Sequence, residues 1–164
     1  ASRSDAYALT RAAAGGIPSE VVRRKDFEDQ AAYEDALTSL MRENKIDLIV
    51  LAGFMSILSK AFTDRFPQRM INIHPSLIPS FCGKGFYGIH VHEAALHYGV
   101  KVSGATVHFV NEIPDGGQII RQKAVPVLPG DTPERLQKRV MEEAEWIILP
   151  EATEEIAARL LAEA

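Results

Sequence analysis

A chain of 164 residues is long enough to bury the core of one domain. Its 46% apolar and 24% charged content is that of an ordinary globular protein, and its formal charge of −4 argues against a nucleic-acid surface. The single cysteine, Cys82, excludes an internal disulfide and any multi-cysteine metal site, and no apolar run reaches the roughly 20 residues of a membrane span.

Ser4 or Asp5 can cap a helix running to about Ala14, which Gly15-Gly16-Ile17-Pro18 ends. Glu20-Val21-Val22 predicts a short strand. Residues 27–44 read as an amphipathic helix with Tyr33, Leu37, Leu40 and Met41 on one side. Ile46-Asp47-Leu48-Ile49-Val50-Leu51-Ala52 is nearly all apolar and does not alternate, which predicts a central parallel strand covered on both faces. Gly53-Phe54-Met55 turns off it. A short helix over 59–66 is stopped by Pro67, and 70–73 is the next strand. Strand, helix and strand joined by short links predict right-handed crossovers and a parallel sheet.

Residues 80–87 form a loop with Gly83 and Gly85, followed by Gly88, and a helix over 90–97 ends at Gly99. The pattern changes at Lys101. Ala105-Thr106-Val107-His108-Phe109-Val110 alternates and 118–125 follows, so the loop 111–117 between them predicts an antiparallel pair on the sheet edge. Asp131 or Thr132 caps the last helix, with Pro133 in its first turn. That helix sends Leu136, Val140 and Trp146 toward a core, and Pro150 bends it or starts a second helix. The expected fold is α/β, one domain over 1–164: a Rossmann-like, mostly parallel sheet flanked by helices, with an antiparallel edge pair in the C-terminal half.

The chemistry centres on Arg69-Met70-Ile71-Asn72-Ile73-His74-Pro75. Asn72 and His74 are two apart, so a strand presents both on one side, and Pro75 stops the strand directly after them. An amide can donate to a developing oxyanion, and an imidazole can exchange protons at neutral pH. Asp115, in Ile113-Pro114-Asp115-Gly116-Gly117, is the carboxylate that could join them, although Asp-Gly also simply favours turns. His108 reads as a structural histidine that could neighbour the site. His90 and His92 lack a third ligand at metal spacing, so no metal is expected. Cys82 has no activating base in view and reads as incidental. Gly83-x-Gly85-x-x-Gly88 is not in the strand-turn-helix order of a nucleotide loop, but Lys84 could bind an anion there.

The block Asn72-Ile73-His74-Pro75-Ser76-Leu77-Ile78-Pro79 resembles the signature of the folate-dependent formyltransferase superfamily. Leu51-Ala52-Gly53-Phe54-Met55-Ser56-Ile57-Leu58-Ser59, Ser103-Gly104-Ala105-Thr106-Val107-His108-Phe109-Val110 and Asp115-Gly116-Gly117-Gln118-Ile119-Ile120 extend the resemblance over nearly the whole chain. It implies a catalytic trio of Asn72, His74 and Asp115. It also implies 10-formyltetrahydrofolate as co-substrate, a sugar phosphate carrying a primary amine as acceptor, no metal, no nucleic acid and no membrane. The pterin would lie against Met55, Ile57 and Leu58, read by backbone groups of Asn111, Glu112, Ile113, Gly116 and Gly117. Ser56 stands where such proteins often carry arginine.

Within the superfamily, a 10-formyltetrahydrofolate hydrolase or a formyltransferase for aminoacyl-tRNA or an amino sugar is the alternative. The hydrolases tend to have His-His-Ser-Phe where this chain has His74-Pro75-Ser76-Leu77, and the tRNA enzymes carry an added C-terminal domain. The superfamily usually starts with a strand, a glycine-rich phosphate loop, a helix and a second strand. Ala1-Ser2-Arg3-Ser4-Asp5-Ala6 resembles the stretch just after that second strand, so an N-terminally incomplete domain is expected, and an inactive fragment is the remaining alternative. A cytoplasmic monomer or homodimer completes the expectation.

Overall fold

Four strands and six helices are laid out along the described residues, 1–163, of the computed structural model. They divide into two units, Ala1–Ile46 and Asp47–Ala164. In the first unit, α1 (Tyr7–Ala14) ends at Gly15. The strand expected at 20–22 is not formed. Its backbone makes isolated bonds to the start of the chain instead, Val22 N–H to Ala1 O at 3.0 Å and the Ala1 ammonium to Glu20 O at 2.6 Å. A 3-10 turn, Arg24–Asp26, follows. Helix α2 (Gln30–Glu43) starts later than the sequence pattern suggests. Asp29 caps it by accepting from Ala32 N–H at 2.8 Å, which leaves Phe27 outside the helix, edge-on to Tyr33.

The second unit holds β1 (Ile49–Leu51), α3 (Lys60–Thr63), β2 (Met70–His74), α4 (Ile89–Tyr98), β3 (Val102–Phe109), β4 (Ile119–Pro126), α5 (Pro133–Val140) and α6 (Trp146–Ala162). The sheet order is β1-β2-β3-β4. Only β1 and β2 run parallel; β2–β3 and β3–β4 are antiparallel. This overturns the mostly parallel sheet, while the antiparallel pair expected in the C-terminal half is present as β3–β4. The apolar run 46–52 suggested a central strand, yet only three of its residues pair, and Val50 (37%) and Ile46 (42%) are exposed. An apolar run marks burial potential, not strand direction. The segment holding α4 returns the chain so that β3 runs against β2.

Alternation along β2 and β3 sorts side chains by face. Asn72 pairs with His108 and His74 with Thr106, while Ile71 and Ile73 pair with Phe109 and Val107. Directly paired residues share a face. So the polar members look one way, and Ile71, Ala105 and Val107 enter the core on the other. The core is closed by Leu136, Val140, Ala144, Ile148, Ala152 and Ile156, each at most 4% exposed. Their stride of four overshoots a 3.6-residue turn by about 40° at each step. A wider π-helical turn, Met141–Glu145, separates α5 from α6 and takes back part of that drift. Trp146, expected in the core, is 61% exposed because it falls between Ala144 and Ile148 on the opposite side of the helix. Pro150 lies inside α6 without ending it.

The β3–β4 ladder contains a bulge. Val107 pairs with Arg121 but His108 pairs with Ile119, so Ile120 is the extra residue. Among the described residues, no helix is long and apolar enough to cross a membrane.

Candidate active site

Strand β2 delivers Asn72 and His74 to one wall of a cavity of about 980 Å³. His74 is the last residue of the strand and is 4% exposed. Beyond it the chain is pinned by one hydroxyl on the neighbouring strand. Thr106 Oγ1 donates to Ser76 O at 2.7 Å and accepts from Ile78 N–H at 3.1 Å and from Gln122 Nε2 at 3.0 Å. Phe81 O, further along the same loop, accepts from His74 Nε2–H at 2.9 Å. Because a carbonyl can only accept, the proton is on Nε2, and Nδ1 is left facing Asp115 Oδ2 at 3.4 Å.

Asp115 arrives from the loop between β3 and β4, with a left-handed φ of 56°. Gly117 makes this path possible, since any Cβ there would collide with Phe109 O. The Asp115 carboxylate accepts from Gly83 N–H at 2.8 Å and lies 3.5 Å from His108 Nε2. Burial alone would push its pKa up. The hydrogen bond and charge that His108 supplies when protonated, the Gly83 N–H and the charge of protonated His74 together outweigh that and hold it below the usual carboxylate range. Asp115 is therefore an anion in the working pH range.

The strand register brings in His108, read from the sequence as a structural histidine that could neighbour the site. Its Nδ1–H donates to Phe109 O at 2.8 Å, so Nε2 accepts from Asn72 Nδ2 at 3.2 Å. That contact fixes the Asn72 amide and leaves its second N–H for a ligand. The signal was present in the sequence: His108 shares the parity of Asn72 and His74 once β3 is laid antiparallel to β2. His92, passed over in the sequence, is fully buried on α4 and lines the cavity with both ring nitrogens unpartnered. Burial, and then the neighbouring His74 charge, lower its pKa to about 4. Glu145, at the end of the π-helical turn, reaches the same cavity, and burial raises its pKa.

Met55, Ile57, Leu58, Asn111, Glu112 and Ile113 all line the cavity; Gly116 and Gly117 do not. Met55 and Ile57 are each 61% exposed, whereas Leu58 is largely core at 6%. His90 is drawn off to Glu93, 2.9 Å away on the exposed side of α4. Among the described residues, no group of three or more His, Cys, Asp or Glu side chains could hold a metal ion.

Residues 1–153 match the model of the formyl transferase family. The chain is 45% identical over 150 residues to the trifunctional purine biosynthetic protein adenosine-3 of Bos taurus, covering 92% of this chain and 14% of that one. It is 41% identical over 148 residues to the phosphoribosylglycinamide formyltransferase of Haemophilus influenzae, covering 90% of this chain and 67% of that one. The crystal structure of phosphoribosylglycinamide formyltransferase from Streptococcus pneumoniae superposes with a TM-score of 0.86 at 39% identity, over 94% of this chain and 83% of that one. The chain thus spans a small part of the trifunctional relatives and about two thirds of the Haemophilus protein.

Proposed function

The chain belongs to the formyl transferase family, and we propose that it transfers the formyl group of 10-formyltetrahydrofolate to the primary amine of glycinamide ribonucleotide, a step of purine biosynthesis. The observation that carries this reading is the meeting of Asn72, His74 and Asp115 on one wall of a cavity of substrate size. The family match runs through both units, which supports reading 1–164 as one formyltransferase domain.

Attack of an amine on a planar formyl carbon puts negative charge on the formyl oxygen and positive charge on the amine nitrogen. The Asn72 N–H not engaged by His108 donates to that oxygen. Nδ1 of His74, the ring nitrogen not engaged by Phe81 O, lies 3.4 Å from Asp115 Oδ2 and is placed to take a proton from that carboxyl group. Asp115, already an anion, receives the proton that the amine must lose, and His74 returns one to the departing nitrogen. The carboxylate is placed for this by Gly83 N–H and the imidazole by Phe81 O, so both arrive oriented before substrate binds.

The cavity also fits a folate. Met55 and Ile57 offer exposed apolar surface, and the backbone of 111–115 brings polar groups to the same wall. Gly116 and Gly117 hold the loop in position instead of lining the slot. A formyl-transfer assay with both substrates tests the proposal. Formylated glycinamide ribonucleotide is the expected product. Release of formate without transfer would favour a hydrolase, and no reaction of the formyl donor would sink the reading.

A further inference from the structure

The cavity poses an electrostatic problem. Glu112, Asp115, Glu134 and Glu145 all line it, yet both proposed substrates carry anionic groups, a phosphate on one and a carboxylate tail on the other. Lysine reaches the wall at two positions, Lys84 and Lys138. Lys138 lies 3.8 Å from Glu142, its neighbour one turn along. Lys84 is exposed and has no ion pair among the described residues.

Its presentation is built into the backbone. Phe86 N–H donates to Gly83 O at 3.1 Å, closing a tight turn with Lys84 and Gly85 at its centre. Gly85 has φ +94°, the value a type II turn demands at its third position, and Gly83 has φ +84°. The turn cannot drift, because Gly83 N–H is bonded to Asp115 Oδ2 at 2.8 Å. One residue from that anchor, a flexible four-carbon stem ends in an ammonium group. A lysine suited only to solvation needs none of this.

We propose that Lys84 is the residue that recognises a substrate anion, taking the phosphate or carboxylate of an incoming molecule against the acidic wall. This rests on the formyl-transfer reading for the identity of the substrates. Lys84 acts on binding and has no part in the proton transfers assigned to His74 and Asp115. Its loss should therefore raise KM and leave kcat nearly alone.

The test compares the native protein with Lys84→Met and Lys84→Arg, by steady-state kinetics and by calorimetric titration of each substrate. An exposed charge-assisted contact predicts a KM or Kd increase of roughly fivefold in Lys84→Met with kcat within about twofold, restored in Lys84→Arg. Two further arms locate the anion: a 10-formylpteroate lacking the glutamate tail, and glycinamide riboside lacking the phosphate. For whichever molecule supplies it, the difference between the native protein and Lys84→Met should vanish. Unchanged affinities for both substrates, a difference that survives removal of both anions, or a fall in kcat at constant KM would each overturn the proposal. If the native protein transfers no formyl group, the functional reading fails, and titration with folate and glycinamide ribonucleotide still decides whether Lys84 binds them.

Discussion

Asp115 separates charge from position more clearly than any other residue here. Its carboxylate has two duties, holding Gly83 N–H and facing the two imidazoles of His74 and His108. Asp115→Asn keeps an acceptor for the Gly83 N–H but removes the anion proposed to receive a proton. The expected result is a fall in kcat of roughly 10²- to 10⁴-fold with an unchanged far-ultraviolet spectrum. Activity within a few fold of native would remove Asp115 from the chemistry. That Asn72 and His74 share one side of a strand and that Asp115 could join them was legible in the sequence, and all three line the one cavity. The roles of His108 and His92 were not legible. A lone histidine carries no mark of its surroundings, and here the surroundings come from a neighbouring strand and from burial of α4.

At the scale of elements, β2 and the loop after it are fastened to β3 by Thr106. Thr106→Val is nearly isosteric but leaves Ile78 N–H without its acceptor and Ser76 O without its donor. Chemical denaturation should show a loss of about 1–3 kcal/mol, the usual result of leaving buried polar groups unpaired. No change would mean that water replaces the hydroxyl. The start of α5 has its own fastening. Arg139 donates to both oxygens of Asp131, at 2.5 and 2.8 Å, and to Pro126 O at 3.0 Å. Asp131→Asn should cost about 1–2 kcal/mol by the same measurement, more than an ordinary surface pair, because the contact is bidentate and shielded. The last helix was readable from its Thr132 cap and from Leu136 and Val140, but Trp146 was wrongly sent to the core, and α1 starts after Ala6 without the side-chain cap expected from Ser4 or Asp5. Strand direction was readable for the parallel β1–β2 pair and the antiparallel β3–β4 pair, but not for β3 against β2, since an apolar run suits either direction.

At the scale of the whole molecule, His92, Asp115 and Asp131 act in one direction on acidification, while Glu145, its pKa raised by burial, opposes them. His92 is held neutral in the fold to about pH 4, while an unfolded chain protonates it near 6.5. The unfolded state therefore binds the extra proton first, and stability falls as pH drops through that window, by up to about 3 kcal/mol. Asp131 has a folded pKa of about 2, hydrogen-bonded first to Arg139, and Asp115 is also depressed. Their stabilisation is present above pH 4 and is lost as pH falls through their folded values. Denaturation measured from pH 7 to pH 2 should thus show two successive losses. Replacing His92 with leucine should abolish the upper one and leave the lower. A native-like upper loss in that variant would assign it elsewhere.

The bulge at Ile120 gives the site a dependence on counting. Chain segments on either side of it differ in parity, so the loop carrying Asp115 leaves β4 one step out of phase with the ladder from Val102 to Val107. Deleting Ile120 would restore an unbroken hairpin, and a plain hairpin is a stable thing. It would also carry the loop about 3.4 Å along the strand and turn successive side chains over. The molecule would keep its shape and lose its aim. A single-residue deletion that leaves folding intact and activity absent is the expected sign that arithmetic in one strand, as much as residue identity, sets where the carboxylate points.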